Sequence, residues 1–505
     1  MYYLIPAVLL FLIAFLLVRT FLFARPPIPP EDVELPAVDV ERLAVGLGEA
    51  IRCETVSTGE GAPPAAGELF KLHTQLQLRF PLAHARLKRE SVNDLSLLYT
   101  WEGRQPDLPP VLFTSHQDVV PVDPTQLDAW QQPPFSGVLT DGAVWGRGAL
   151  DTKSTLIALL EAVESLLAAG YQPQRTVLLA FGHDEEIGGA NGAKRIAETL
   201  QQRGLQPAAV LDEGGAVVQG VLPGFAGPVA LVGTAEKGYL SLKLTAAGQE
   251  GHSSAPPKNS AIGRLAQALA QLEANPMPAR LTALAQTYRE AGSLASFGMQ
   301  VVFANLWLFG GLVRRKLDAN AQTAAAVRTT TALTIVEGGV KDNILPSQAR
   351  AVVNFRLFPG DTIAGVCERV RRLIGDENVQ FEALSQASWE ASPVSATDTL
   401  LYFQLGSAIR QVFPQAAVGP YLVQGATDAR HYTGLSGQVF RFSPYLVTGE
   451  DLKTIHGVNE HISLDNLERM AQCYAQVMRA WGGEPEQEVE AESVDREANE
   501  EGNLN

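Results

Sequence analysis

The chain has 505 residues, of which 46% are hydrophobic and 19% are charged, so it is long enough for two or three globular domains. A net charge of −16 without a basic patch argues against nucleic acid as a partner. The cysteines Cys53, Cys367 and Cys473 are too widely spaced for a disulfide framework or a cysteine-based metal motif, and we predict buried thiols.

An apolar segment from Tyr2 to Ala24 contains one charged residue, Arg19. Its length suffices to cross a bilayer, which takes about 20 apolar residues. No Lys or Arg precedes the segment and no small-residue cleavage motif follows, so a single-pass anchor over residues 1–25 is favoured over a cleaved signal peptide. Arg19 and Arg25 hint at a cytoplasmic C-terminal side, but the side of the membrane stays open. Residues 26–37 are proline-rich and are predicted to be a stiff spacer.

Short apolar runs alternate with helical patterns in residues 38–237. The runs VLFTSH, TVLLAF and AAVLD predict strands, and KSTLIALLEAVESLLAAG predicts an amphipathic helix that Gly170 ends. This alternation indicates an α/β catalytic domain with a mostly parallel sheet. Ligands of such sheets bind beyond the carboxyl ends of the strands, so polar residues at those ends are candidates for a site.

The hydrophobic pattern changes to period two near residue 238, where YLSLKLTAAG, TTTALTIVEGG and ARAVVNFRLF predict half-exposed strands. Residues 238–388 are therefore predicted to form a smaller α+β domain that is inserted into the first. Helical patterns return in residues 389–482, which complete the catalytic domain. Residues 483–505 carry nine acidic residues and one basic residue, so we predict a disordered tail.

Polar clusters follow the three predicted strands as SHQD, HDEE and DEGG, and a fourth, RGALD, precedes the long helix. In GHDEEIGG, two adjacent glutamates can serve one site only if the backbone turns, which Gly182, Gly188 and Gly189 allow. Carboxylates and imidazoles suit Zn²⁺, with Mn²⁺ or Co²⁺ as substitutes, and their number matches a two-metal hydrolase centre. The candidate ligands are His116, Asp151, Glu186, Glu213 and His456.

Six motifs together resemble those of the di-zinc aminoacylase/carboxypeptidase family of metallopeptidases. They are FTSHQDVVPVD, WGRGALDTK, GHDEEIGG, LDEGG, GHSSAPP and IHGVNEHIS, in this order along the chain. Blocks such as NLWLFGGLV and VKDNILPSQARAVVNFRLFPG resemble the subgroup that contains carboxypeptidase S and the N-fatty-acyl-amino-acid synthase/hydrolase. The resemblance, from about Val38 to Trp481, implies two Zn²⁺ ions in the α/β domain and an inserted lid or dimerisation domain.

The resemblance also implies a role for each residue of the metal centre. Asp151 would bridge the ions, with His116 and Glu213 on one ion and Glu186 and His456 on the other. Asp212 stays open as the alternative to its neighbour Glu213. Glu185 would be the general base that takes a proton from the attacking water and passes it to the leaving amine. Asp118 would orient the imidazole of His116.

Further roles concern the substrate. His252 in GHSS would reach the neighbouring subunit's site, which predicts a homodimer through the inserted domain; the structural alternative is a surface histidine in a Gly-Ser turn. Asn343 and Arg356 would grip the carbonyl and the carboxylate of the substrate. Arg430 is a second candidate for the carboxylate, or equally a structural ion pair. A cis peptide bond is implied at Asp151–Thr152.

The uncharged segment 296–313 allows two interpretations. It could be a core helix of an enlarged inserted domain, or an apolar surface for a lipid tail or a membrane. An N-terminal anchor favours lipid substrates, because such molecules concentrate in membranes. Outside the site, His73 is predicted to lie on a helix surface.

The resulting prediction is a membrane-anchored di-zinc amidohydrolase that cleaves the amide of N-acyl amino acids with long fatty acyl chains. The reverse reaction at high product concentration stays open. The alternative is a carboxypeptidase or dipeptidase that acts on peptides. Both would use the same metal centre and would differ in the pocket for the acyl side. A third class, an inactive zinc-binding scaffold, is disfavoured because the five ligands and the base are all present.

Overall fold

The structure is a computed structural model that describes residues 3–23, 33–59, 61–384 and 388–483. Most of the predicted proline-rich spacer and the predicted acidic tail from residue 484 onwards lie outside the described residues.

Helices and strands alternate along the described chain. The helices are α1 (Leu4–Phe23), α2 (Val40–Arg52), α3 (Ala66–Arg79), α4 (Pro81–Arg86), α5 (Lys153–Ala168), α6 (Ala193–Gln202), α7 (Ala261–Ala274), α8 (Thr282–Glu290), α9 (Phe297–Ala304), α10 (Leu306–Asp318), α11 (Ala321–Ala325), α12 (Ile363–Ile374), α13 (Leu400–Val412) and α14 (Leu464–Gly482). The strands are β1 (Lys88–Val92), β2 (Ser96–Trp101), β3 (Val111–His116), β4 (Val138–Thr140), β5 (Ala143–Trp145), β6 (Val177–Gly182), β7 (Ala209–Asp212), β8 (Val217–Val218), β9 (Val229–Glu236), β10 (Gly238–Ala247), β11 (Gly251–His252), β12 (Thr330–Gly338), β13 (Ile344–Leu345), β14 (Gln348–Leu357), β15 (Val379–Ala383), β16 (Ala417–Val423), β17 (Val439–Arg441), β18 (Leu446–Val447) and β19 (His461–Ser463).

Two compact units make up the protein, and each is built from segments that are distant in sequence. The first unit comprises Asp32–Val210, Thr399–Val412 and His461–Asn505. The second unit comprises Met1–Glu31, Leu211–Asp398 and Phe413–Glu460.

Parallel strands β3 and β6 form the buried centre of the sheet in the first unit, and every residue of both strands is buried. Their register pairs His116 with Gly182, so both strands end at the same edge. Strand β2 continues the sheet antiparallel to β6, and β1 follows at the border. Helix α5 begins directly after Asp151 and Thr152, and its first fourteen residues are buried. The HQD and HDEE motifs therefore leave the sheet side by side, as predicted.

The second unit contains two larger groups of paired strands, besides the two-stranded pair of β11 and β13. In one, β9 pairs in parallel with β16 and antiparallel with β8 and β17. The other is antiparallel in the order β12-β14-β10-β15, and residues of α7 and α12 pack on it through a core that includes Leu242, Leu265 and Val353. Alternating side chains of β10 and β14 enter this core, which is why their sequences have period two. The predicted α/β class is confirmed, whereas the domain bounds stay predictions.

The apolar N-terminal segment forms helix α1, which by length and composition could cross a membrane, although a signal sequence passes the same test.

Segment 296–313 does not form one core helix, so that interpretation was wrong. It contributes two helices, α9 and α10, which meet at an angle of 109°. The chain bends at Asn305, and much of α10 is exposed.

Candidate functional site

His116 ends strand β3, and its imidazole is buried in the first unit. Its Nδ1 lies 2.9 Å from the backbone oxygen of Asp118 and 3.3 Å from the Asp118 carboxylate. Because these oxygens accept hydrogen bonds, Nδ1 carries the proton and Nε2 presents a lone pair. Nε2 faces Asp151 Oδ1 at 3.1 Å. Two acceptors at this distance repel each other unless a proton or a cation lies between them, so this pair fits a metal site.

Glu185 and Glu186 lie in a short 3₁₀ turn after strand β6. Gly188 and Gly189 follow with φ angles of 106° and 66°, which only glycine adopts at little cost. The carboxylate of Asp118 accepts hydrogen bonds from the backbone amides of Glu185 and Glu186 at 3.1 and 3.2 Å. One aspartate thus holds both the imidazole and the main chain of the two glutamates.

Three of the predicted ligands come together as one donor group in the first unit. One ligand atom from each of His116, Asp151 and Glu186 lies within 4.8 Å of the others. An imidazole with two carboxylates suits Zn²⁺, Mn²⁺ or Co²⁺, so the group could hold metal. The division of the donors between two ions stays a prediction. The implied cis peptide bond between Asp151 and Thr152 is present.

Asp118 is fully buried. Burial is the largest single influence on the pKa of its carboxyl group and raises it, because burial opposes ionisation. Hydrogen bonds from His116, from the Ser57 hydroxyl at 2.7 Å and from the amide of Glu186 outweigh burial and hold the pKa of Asp118 below its usual value. The group is therefore a carboxylate at neutral pH. This supports its predicted role of orienting the imidazole, in which a buried anion fixes the tautomer of a metal-binding histidine.

The remaining predicted ligands belong to the second unit. The Asp212 carboxylate is buried and accepts the backbone amide of Ala429 at 2.6 Å. Burial and the neighbouring Glu213 raise the pKa of Asp212 to about 7. Glu213 is only partly buried, which makes it the better candidate of the two for a ligand. His456 is exposed in a turn and has a left-handed backbone with φ of 57°. A non-glycine residue in this conformation is a feature that is concentrated at functional sites.

His252 and Asn343 lie close together on a small ribbon formed by β11 and β13 of the second unit. His252 pairs with Ile344, and the amide of Ser253 donates to the Asn343 backbone oxygen at 3.1 Å. His252 is exposed, and its Nδ1 lies 2.8 Å from the Ser254 hydroxyl. The Oδ1 atom of Asn343 is buried without a hydrogen-bond partner among the described residues. The ribbon thus presents an imidazole Nε2 and an amide from neighbouring positions.

The two predicted substrate arginines are joined by a stack of aromatic rings in the second unit. The Arg356 guanidinium lies 4.5 Å from the ring centre of Tyr239, and the Arg430 guanidinium lies 4.5 Å from that of Trp389. Tyr239 and Trp389 stack on each other with centroids 4.9 Å apart. Two backbone hydrogen bonds of 2.9 Å between Tyr239 and Trp389 fix the pair. We name the four residues the cation–aromatic stack.

Several supporting residues were missed by sequence reasoning. The stack rings and Ser57 lie far in sequence from the residues they contact, and no local pattern marks them. Gln117 stands inside the HQD motif and could have been found there, because its amide donates to the Phe181 backbone oxygen at 2.9 Å and ties β3 to β6. The surface prediction for His73 was wrong: the ring is buried, and Nε2 lies 2.7 Å from Gln117 Oε1.

The chain is similar to known proteins along most of its length. Residues 112–480 match the model of Peptidase family M20/M25/M40. The chain is 39% identical to the N-fatty-acyl-amino acid synthase/hydrolase of Xenopus tropicalis over 93% of each protein. It is 32% identical to carboxypeptidase S of Saccharomyces cerevisiae over 83% of this chain and 80% of that protein.

A solved structure shares the fold. It is the M20 family metallo-carboxypeptidase of Sulfolobus solfataricus, with a TM-score of 0.62, 19% identity and coverage of 87% of this chain and 99% of that one. The match to the family model extends over far more than half of the chain. This chain therefore belongs to peptidase family M20/M25/M40.

Proposed function

We propose that this metallohydrolase cleaves the amide bond of N-acyl amino acids that carry a long fatty acyl chain. The carrying observation is the donor group of His116, Asp151 and Glu186, in which the buried Asp118 holds His116 and the main chain of Glu185 and Glu186. The similarity to an N-fatty-acyl-amino acid synthase/hydrolase over 93% of the chain supports the substrate class. A dinuclear metal binding peptidase in the same family supports a centre with two ions.

The donor group would hold Zn²⁺, with Mn²⁺ or Co²⁺ as substitutes, and Glu213 and His456 would complete the set. When bound, such ions lower the pKa of water and polarise the carbonyl that is attacked. Asp118 prepares the site for this because it keeps the His116 proton on Nδ1 and leaves Nε2 for the metal.

Glu185 would act as the general base. Its main chain is held by Asp118 next to the ligand Glu186, so base and ligand occupy adjacent positions on one turn. The carboxylate would take a proton from water as the new carbon–oxygen bond forms. It would then deliver this proton to the amide nitrogen as the carbon–nitrogen bond breaks, which releases a fatty acid and an amino acid.

The cation–aromatic stack would bind the substrate's carboxylate through Arg356 or, as the second candidate, through Arg430, which lies at the other end of the stack. Guanidinium groups bind carboxylates in a planar, two-pronged manner, and aromatic faces hold the guanidinium planes in place. The stack supplies two such groups in fixed positions. This substrate grip explains why an amino acid with an unmodified carboxylate would be the preferred leaving group.

The ribbon with His252 and Asn343 would stabilise the negative charge that develops on the scissile carbonyl oxygen. His252 is exposed in its own chain, which supports the hypothesis that it acts in the site of a second subunit. The proposed assembly is a homodimer formed through the inserted domain, which contains the four-stranded sheet β12-β14-β10-β15. Helix α1 would anchor each chain to a membrane by a single pass, on a side that the sequence leaves open.

A carboxypeptidase or dipeptidase activity is the second candidate, and the similarity to carboxypeptidase S favours it. Both activities would use the same ligands, base and carboxylate grip. They differ in the group on the acyl side, which is an amino acid residue in one case and a fatty chain in the other.

A direct test offers purified zinc-loaded protein three substrates: N-oleoyl-phenylalanine, N-acetyl-phenylalanine and a dipeptide. We expect the highest kcat/KM for the oleoyl substrate, below its critical micelle concentration. The Glu185→Gln variant should keep its metal content and lose about 10²- to 10⁴-fold in turnover. Faster cleavage of the dipeptide would support the peptidase. A Glu185→Gln variant with unchanged turnover would reject the assigned base.

A further inference from the structure

Helices α9 and α10 expose large apolar side chains that a water-soluble surface does not require. The side chains of Phe297, Trp307, Leu308 and Leu312 are 51%, 58%, 46% and 66% exposed. Together the two helices are apolar enough for a membrane span that is broken by the 109° bend. Several large exposed apolar side chains on two neighbouring helices indicate an interaction site.

Helix α1 is attached to the bend between α9 and α10 by buried polar contacts. The Asn305 side chain, at the bend, donates to the Leu16 backbone oxygen and to the Thr20 hydroxyl of α1, both at 3.3 Å. Asn305 and Thr20 are 0% and 1% exposed. In return, the Arg19 guanidinium donates to the Ala304 backbone oxygen at 3.2 Å. The break in the helix therefore finds hydrogen-bond partners on α1.

Aromatic contacts extend this attachment along α1. Phe15 meets Trp307 edge to face at a centroid distance of 6.3 Å, and Phe21 lies 6.2 Å from Phe297. Phe23 packs against the core formed around Tyr288. The rest of α1 stays exposed, with a single buried residue along its 20 residues.

The contacts and charges of α1, α9 and α10 suit helices that lie in a lipid bilayer. Irregular backbone at membrane depth is tolerated where protein groups satisfy its hydrogen bonds, as the Arg19 guanidinium does for the Ala304 carbonyl at this bend. The last turns of α10 carry Arg314, Arg315 and Lys316, all exposed, which suits the anionic headgroup region of a bilayer.

We propose that α1, α9 and α10 form one membrane-inserted unit, in which α1 crosses the bilayer and the bent α9–α10 pair enters it as a re-entrant hairpin. The exposed apolar side chains of both parts then have the same occupant, which is lipid. Helix α1 is then a permanent part of the mature protein rather than a removed signal. The unit does not depend on the chemistry assigned to the metal centre.

Thiol labelling tests the insertion of α10. Leu312→Cys is compared with Leu78→Cys on α3, because these leucines are 66% and 68% exposed. Both variants carry Cys367→Ser, since Cys367 is the half-buried native thiol while Cys53 and Cys473 are buried. The full chain is reconstituted into phosphatidylcholine vesicles and treated with a water-soluble maleimide, with denatured protein as the reference for complete labelling.

We expect the new thiol of the Leu312→Cys variant to react with the maleimide at least tenfold more slowly than that of the Leu78→Cys variant, at every protein-to-lipid ratio. Equal labelling rates would overturn the proposal. Protection that disappears as lipid is added in excess would also overturn it, because a second copy of the chain, and not lipid, would then cover α10.

The retained helix is tested on the protein recovered from membranes. Its intact mass should include α1, and the variant Asn305→Leu should lower the melting temperature of the full chain. A mature mass that lacks residues 4–23 would refute the composite unit. Brominated phosphatidylcholine should quench the fluorescence of wild-type protein more than that of the Trp307→Phe variant, and identical quenching would contradict insertion of α10.

Discussion

Replacing Trp389 by alanine should weaken the proposed carboxylate grip without touching the metal centre. The indole ring supports Arg430 on one face and Tyr239 on the other, with centroid distances of 4.5 Å and 4.9 Å. Both distances lie within the range in which cation–π and aromatic pairs are attractive. Trp389 is therefore a positioning residue, because it acts on the substrate through the guanidinium.

The expected magnitude follows from the partial burial of the pair. A cation–π contact contributes about 0.5–1 kcal/mol when exposed and about 2 kcal/mol when desolvated, so roughly 1–2 kcal/mol applies here. We expect kcat/KM for N-oleoyl-phenylalanine to fall about 5- to 30-fold, mainly through a higher KM. Trp389→Phe keeps an aromatic face and should recover most of the loss.

The decisive control is the substrate's carboxylate. N-oleoyl-phenylalaninamide lacks it and should be cleaved equally well by wild type and Trp389→Ala, while thermal melting checks that both proteins are folded. An equal loss on the acid and the amide would refute the reasoning, because the defect would then be a general one in the site. No loss on either substrate would show that Arg430 does not depend on the stack.

Replacing Asp118 by alanine should weaken metal affinity about 10- to 100-fold, as measured by chelator competition, whereas Ser57→Ala, which removes one of its hydrogen bonds, should have a smaller effect. Mixing inactive Glu185→Gln with inactive His252→Ala should restore activity once subunits exchange, and verified mixed dimers without activity would place His252 outside the partner's site. Burial, followed by the positive charge of Arg356, lowers the pKa of Lys237 from 10.5 to about 8 in the folded state. Between about pH 8 and 10.5 the unfolded state therefore binds more protons than the folded state, and the contribution of Lys237 to the free energy of unfolding rises with pH. Lys237→Met should therefore raise the melting temperature relative to wild type more at pH 7 than at pH 10, and a pH-independent difference would contradict the lowered pKa.

Sequence patterns predicted the central strands, helix α5 and a set of candidate ligands. Strand β3 is a short apolar run and helix α5 is a longer one, so short windows of sequence suffice to find them, although α5 is buried on all sides and not amphipathic as predicted. The candidate ligands stand within short motifs, and the parallel pairing of β3 with β6 brings two of these motifs to one edge. His116 and Glu186 could therefore be named as candidates without a structure.

Only the tertiary structure decided which residues support the candidate site and which apolar side chains of α9 and α10 are exposed. Asp118 contacts Ser57 and the Glu185–Glu186 turn. Arg356 packs on Tyr239 and Arg430 packs on Trp389. These partners are so far apart in sequence that no local periodicity relates them. The bend at Asn305 was invisible for the same reason: an uncharged run predicts a helix, while the hydrogen bonds that stabilise its break come from α1, 285 residues away. Such contacts depend on packing between distant segments, and a linear pattern cannot encode the distance between them.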